Sequence, residues 1–170
     1  MASVAERRLF WSTAAAVVVA DVVTKLLAEN HLARRVPIRV VGDVVQLRLV
    51  YNQCAAFGLC IGEYSRWIFF GLALVALAVL GSMVRSTRPG DRVRIVALAL
   101  VCAGAVGNVI DRVRSAMGVV DFVDVGIGSA RWPTFNVADS AITVGAVVLA
   151  ISLWLEGREH DEKEAQVTGP

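Results

Sequence analysis

The chain has 170 residues, 56% of them hydrophobic and 19% charged, with a mean hydropathy of +0.63. That excludes a disordered chain and a disulfide scaffold, and argues against a water-soluble globule. The charge balance of +2 is too even to point to nucleic acid, and no His/Cys cluster or CxxC pair suggests a metal.

Four apolar runs follow in chain order, at residues 9–27, 67–84, 95–110 and 137–155. Each approaches the ~20 residues a helix needs to cross ~30 Å of hydrocarbon. None carries a polar stripe wide enough for a surface helix in water. The first run follows Arg7 and Arg8 like a signal peptide, but Asp21 at the end of its apolar core and the poor cleavage site beyond it favour a retained helix. Between the first two runs, residues 36–52 alternate in part around Gly42-Asp43 and predict a β-hairpin. A sheet edge cannot sit in lipid, so this hairpin belongs on the membrane surface. Residues 112–136, with Gly118, Gly126, Gly128 and Pro133, read mostly as loop. The expected architecture is therefore an all-α membrane protein, with four transmembrane helices, a small extracytoplasmic β-hairpin and a loop on the same side. Residues 1–156 form one domain, and the charged tail at 157–170 is expected to be disordered and cytoplasmic.

Four crossings place both termini on one side. Lys and Arg total eight inside against nine outside. Orientation therefore rests on clustering: Arg7 and Arg8 at the start, and Arg85, Arg88, Arg92 and Arg94 between the second and third runs, favour a cytoplasmic face there. Up-down connectivity then brings the polar residues of three helix ends to the opposite face. Asp21 and Lys25 end the first helix, Asn108, Asp111 and Arg112 end the third, and Asn136 and Asp139 begin the fourth. Asp21 with Lys25 is an i,i+4 pair. Asn108 shares a helix face with Asp111 and Arg112. Asn136 to Asp139 is the spacing of N-cap to N3.

No Ser/His/Asp set is available, since the two His are His31 and His160. The catalytic vocabulary of this face is carboxylate: Asp21, Asp111, Asp121, Asp124 and Asp139. Two aspartates sharing a proton can activate water and protonate a leaving amine without a metal or cofactor. Spacing alone does not say which two. Asp21–Lys25 and Asp111–Arg112 read first as buried ion pairs, Asp124 as a solvated loop residue, and Asp139 as a carboxylate stabilised by the helix dipole. Asp121, inside Val119-Val120-Asp121-Phe122-Val123, is the candidate for a raised pKa.

Five ordered motifs resemble those of the lipoprotein signal peptidase (signal peptidase II) family, membrane aspartic peptidases of bacteria. Asp21-Val22-Val23-Thr24-Lys25 resembles D-x-x-T-K, and Asn52-Gln53-Cys54-Ala55-Ala56-Phe57-Gly58 resembles N-x-G-A-A-F-[GS]. Residues 103–112 resemble G-G-x-x-G-N-x-x-D-R, Val119-Val120-Asp121-Phe122 resembles V-V-D-F, and Phe135-Asn136-Val137-Ala138-Asp139-Ser140 resembles F-N-x-A-D-S. The resemblance implies a dyad of Asp121 and Asp139, with Asp124 outside it. It implies substrate binding by Asn52, Asn108, Arg112 and Asn136, and support of the site by Asp21, Lys25 and Asp111. It further implies removal of the signal peptide from prolipoproteins just before a diacylglyceryl-modified Cys, in the bacterial inner membrane among its lipids, and sensitivity to globomycin-type inhibitors. A monomer without cofactor is expected. Two positions depart from the family pattern: Cys54 and Ala103 stand where Gly is preferred. Cys54 and Cys60 are a possible disulfide pair in an oxidising compartment, with two free thiols the alternative. A reading from another class, a small proton-coupled transporter or channel subunit, would use Asp21, Asp111 and Asp139 as a relay.

Overall fold

The computed structural model of the protein describes residues 3–34, 36–54 and 61–168, with side chains described as far as residue 158. Four long helices carry the chain: α1 (Val4–His31), α2 (Ser65–Ser86), α3 (Arg92–Arg114) and α4 (Val137–Thr168). Each is long and apolar enough to cross a membrane. They overrun the apolar runs because flanking polar residues also take helical geometry. Ser3 and Glu6 start α1 with a capping box, each side chain accepting from the other's backbone N–H. Asp91 caps α3 by accepting from Arg94 N. The charged end of the chain, expected to be disordered, continues α4 as helix to Thr168. Residues 156–166 contain neither proline nor a β-branched residue and hold several strong helix formers, so the helix is not broken where the apolar span ends.

The hairpin appears as β1 (Ile38–Val41) and β2 (Val45–Asn52), turning at Gly42 with φ of +49°. The expected loop at 112–136 is corrected. It contains β3 (Val119–Ile127) and the short β4 (Ala130–Arg131), completing an antiparallel sheet in the order β1-β2-β3-β4. The run of β-branched and aromatic residues from Val119 to Val125 accounts for β3. Ala28 of α1 packs with Leu49, Val120 and Phe122 to hold the sheet on the helix ends.

Small residues bring α1, α3 and α4 together. Ala14, Ala99 and Ala103 form one buried contact, so the methyl of Ala103 is accommodated where the family pattern has Gly. A Cβ on Gly104 would meet Ala138 O and lie 2.7 Å from Ile142 Cγ1, and one on Gly145 would lie 2.7 Å from Ala97 O. Lipid gives helices no hydrophobic drive to associate, so such close approaches are what hold a bundle in a membrane. By contrast, α2 has one buried residue, Ser65.

Candidate functional site

The site is built where α1, α3, α4 and the sheet meet. Lys25 sits at its base, 1% exposed, with Nζ 2.7 Å from Asp21 Oδ2 and 2.9 Å from Asp111 Oδ2. The same ammonium donates to Asn108 Oδ1 at 3.1 Å. The same carboxylates also hold backbone, Asp21 through its other oxygen and Asp111 through the oxygen that faces Lys25. Asp21 Oδ1 accepts from Ala138 N at 2.9 Å and so fixes the start of α4, while Asp111 Oδ2 accepts from Val120 N at 3.1 Å and fixes β3. The expected Asp111–Arg112 pair is corrected: Asp111 pairs with Lys25 and, at 3.3 Å, with Arg114. Arg112 instead reaches two carbonyls, Asn108 O at 3.1 Å and Cys54 O at 3.4 Å. Adjacent residues on a helix point about 100° apart, so side-by-side positions do not pair readily.

Asn136 and Asp139 form a reciprocal cap. Asp139 N donates to Asn136 Oδ1 at 2.8 Å, and Asn136 N donates to Asp139 Oδ2 at 3.3 Å. This is the N-cap-to-N3 spacing read from the sequence. Asp139 Oδ1 takes a second donor, Asn108 Nδ2, at 2.8 Å. Phe135 pairs with Val123 through Val123 N to Phe135 O at 2.8 Å and Phe135 N to Val123 O at 3.0 Å. That pairing lays Asn136 against β3, where its Nδ2 donates to Asp121 Oδ1 at 2.7 Å. Asn52 Nδ2 donates to the other oxygen, Asp121 Oδ2, at 3.2 Å, and Asn52 Oδ1 accepts from Cys54 N at 2.9 Å. Gly118, with φ of +95°, lets Asn52 approach: a Cβ there would lie 2.8 Å from Gln53 Cα. Asp121 and Asp139 thus converge on Asn136 from two elements, and both receive donors from amides. Neither makes an ion pair among the described residues.

Burial, reinforced by the charge of Asp139, pushes the Asp121 carboxyl up to about 7. The amides of Asn52 and Asn136 pull the other way with less effect. A carboxyl protonated near neutrality beside an ionised partner can give a proton while the partner takes one.

Both aspartates line a groove of about 1280 Å³. Its lower walls are apolar, with Phe69, Leu72 and Leu80 of α2 facing Val101 of α3 and Ile142 of α4. Its upper rim is polar, with Arg34, Arg48, Asn52 and Gln53. Among the described residues no group of three His, Cys, Asp or Glu side chains is placed to hold a metal ion.

Asp124, read from the sequence as a solvated loop residue, is 1% exposed and paired with Arg131 at 2.6 Å and Arg48 at 3.4 Å. The parity of the strand was the available signal: Asp121 and Asp124 differ by three positions, so they lie on opposite faces of β3. Arg48 and Arg114 are further parts of this network that spacing does not mark, since Asp124 and Glu29, which they meet, are far away in sequence and only the Arg114–Asp111 pair is local. Cys54 is disulfide-bonded and Cys102 is free. The Cys54–Cys60 question falls partly outside the described residues, because Cys60 is not among them.

Comparison with known proteins identifies the family. The profile of a family described as signal peptidase (SPase) II matches residues 13–155. The chain is similar to the lipoprotein signal peptidase of Hydrogenovibrio crunogenus, 42% identical over 150 residues, covering 86% of each chain. It is similar to that of Geobacter metallireducens, 38% identical over 156 residues, covering 91% of this chain and 96% of the relative. Among solved structures it resembles a bacterial membrane enzyme determined by the in meso method at 2.3 Å resolution, with a TM-score of 0.79 and 31% identity, covering 87% of this chain and 88% of that one.

Proposed function

The chain belongs to the signal peptidase II family, and from that premise we propose that it removes the signal peptide from prolipoproteins by aspartic catalysis at Asp121 and Asp139. It is a multi-pass membrane protein of bacterial type. The proposed cleavage falls just before a Cys that carries a diacylglyceryl group. The observation that carries the catalytic assignment is the pair itself: two carboxylates at the head of an apolar groove, held by amides, with no ion pair to either among the described residues and with Arg112 acting on both only through its charge.

Asp139 takes the role of general base. Asn136 N and Asn108 Nδ2 each donate to its carboxylate at the start of α4. Asp139 accepts a proton from water as the water oxygen attacks the carbonyl carbon of the scissile bond. Asp121 holds the shared proton, consistent with a carboxyl raised to about 7, and gives it up as the C–N bond breaks, so that the new N-terminus leaves as an amine. Asn52, Asn108, Arg112 and Asn136 bind substrate main chain around that bond. Asp21, Lys25 and Asp111 hold α1, α3, α4 and β3 in register. The apolar walls of the groove receive acyl chains, at about 0.8 kcal/mol for each CH₂ removed from water. Both termini lie in the cytoplasm and the dyad lies at the extracytoplasmic face, where the anchored Cys of the substrate arrives. Residues 1–156 act as a single domain, and the enzyme works as a monomer that globomycin-type inhibitors block. The transporter alternative finds no support, since the relatives are peptidases.

The test is cleavage of a diacylated precursor peptide by purified protein, with and without globomycin. Asp121→Asn and Asp139→Asn should each abolish cleavage while the protein stays folded in detergent. Full turnover by either variant overturns the dyad.

A further inference from the structure

The apolar and polar walls of the groove divide a prolipoprotein in two. Acyl chains and the hydrophobic signal segment suit the lower walls. The chain that follows the lipidated Cys must leave past the upper rim, and that rim carries two arginines with unused capacity. Arg34 is exposed, lies over the Tyr51 ring at 4.6 Å from its centroid, and points Nη2 at Met117 Sδ, 2.7 Å away. A thioether is a weak acceptor, and Arg34 makes no ion pair among the described residues. Arg48 donates to Thr134 Oγ1 at 3.2 Å and lies 3.4 Å from Asp124 Oδ2. Asp124 is held more closely by Arg131, at 2.6 Å. The Arg48 side chain is 38% exposed, and since its Nε is enclosed without an acceptor among the described residues, a substrate carboxylate meets the exposed remainder of the guanidinium. Glu29, the nearby carboxylate bonded to Tyr51 Oη at 3.2 Å, is already matched by Arg114 at 2.7 Å.

We propose that Arg34 and Arg48 form a carboxylate-reading rim that selects prolipoproteins with Asp or Glu among the first few residues after the lipidated Cys. The inference rests on the peptidase reading above and extends it to substrate preference. Strand geometry bounds the spacing. Asn52 touches Asp121, and Arg48 lies four residues back along β2, within the irregularity between Leu47 and Val50, so the two are at most roughly 13 Å apart at ~3.3 Å per residue. Arg34 bridges to Leu49 and covers Tyr51, between the two. An extended chain leaving along β2 passes Arg34 first and reaches Arg48 about four residues beyond the scissile bond. Guanidinium groups suit carboxylates because they offer paired donors in a plane.

Binding is measured with diacylated peptides whose scissile bond is reduced, so that affinity is read whether or not chemistry occurs. The peptides differ only in carrying Asp, Ser or Lys at the second to fifth positions after the Cys. Full-length protein in detergent should bind the Asp series about fivefold more tightly than the Ser series, and the Lys series more weakly still, with the spread shrinking as salt rises. In Arg34→Gln and in Arg48→Gln the Asp-to-Ser ratio should fall towards one. If Arg48→Gln is unstable through loss of Asp124's partner, exposed Arg34 still decides. Equal affinity across the series overturns the proposal, as does a preference that survives in both variants. Equal peptide affinity together with an Arg34-dependent response to phosphatidylglycerol in nanodiscs would assign the rim to a lipid headgroup instead. Cleavage of the unmodified Ser peptide is scored separately, so loss of the peptidase reading and loss of this one have different signatures.

Discussion

Two pairs of carboxylates, buried except for the half-buried Asp139, lie within one hydrogen-bonded network, and they differ in what stands between their members. Asp21 and Asp111 have the ammonium of Lys25 within 2.9 Å of each. Among the described residues Asp121 and Asp139 make no ion pair and are bonded by the amides of Asn52, Asn108 and Asn136, with Arg112 acting on both through its charge. An amide stabilises a carboxylate without cancelling its charge, whereas a cation does both. The first pair serves as a fastening around that ammonium. In the proposed mechanism the second pair shares a proton, and that proton is what hydrolysis needs. Lys25 thus marks the structural pair off from the proposed catalytic one, and Asn108 joins them by accepting from Lys25 and donating to Asp139.

The sharpest way to break this contrast is to replace the carboxyls. Asp121→Asn or Asp139→Asn should lower the rate of cleavage by about 10³-fold or more, since general acid–base catalysis is itself worth 10²–10⁴. Asp21→Asn should act through stability instead, and a thermal melt beside a cleavage assay separates the two. Next in size is Lys25→Met, which leaves two buried carboxylates without their cation. A loss of about 3–5 kcal/mol is expected, read as a lower melting temperature, with Lys25→Arg restoring part of it.

A smaller effect concerns pH, where the two pairs should part company. In the folded protein Asp121 titrates at about 7, above its ordinary value of 3.8. Between those values the folded state holds a proton that the unfolded state has lost. Its share of stability is therefore present at low pH and declines as pH rises towards 7, by at most roughly 1.4 kcal/mol per unit. Asp121→Asn removes this decline, so the inactive variant should melt higher than the parent protein at pH 8. Cleavage itself should fall above about pH 7 as the shared proton is lost. The smallest effect sharpens the amide argument. Asn52 lowers the Asp121 value, so Asn52→Ala should move the alkaline limb of the pH profile upwards, beyond any loss of substrate affinity.

The difference between the pairs was partly legible in the sequence. Asp21–Lys25 and Asn136–Asp139 are local, and helix periodicity places each pair correctly. The four spans follow from hydropathy alone. The rest depends on contacts between distant segments. Nothing in the run from Arg112 to Asn136 shows that Phe135 pairs with Val123, and that pairing carries Asn136 to Asp121. Glycines at 118, 126 and 128 made the segment look like loop, although the intervening β-branched residues form a strand. Asp111 was assigned to its neighbour Arg112 because adjacency is visible in sequence, while the 86-residue separation from Lys25 is not.

The weak attachment of α2 has a consequence for how the enzyme meets its substrate. Glycine and alanine lock α1, α3 and α4 together, whereas α2 buries little beyond Ser65 and yet walls one side of the groove. A passage bounded by so lightly held a helix opens sideways into the bilayer. Encounter is then a search in two dimensions, and the turnover rate at subsaturating substrate should follow the mole fraction of precursor in the micelle or membrane. Adding empty detergent at constant molar substrate should slow the enzyme by dilution in the plane.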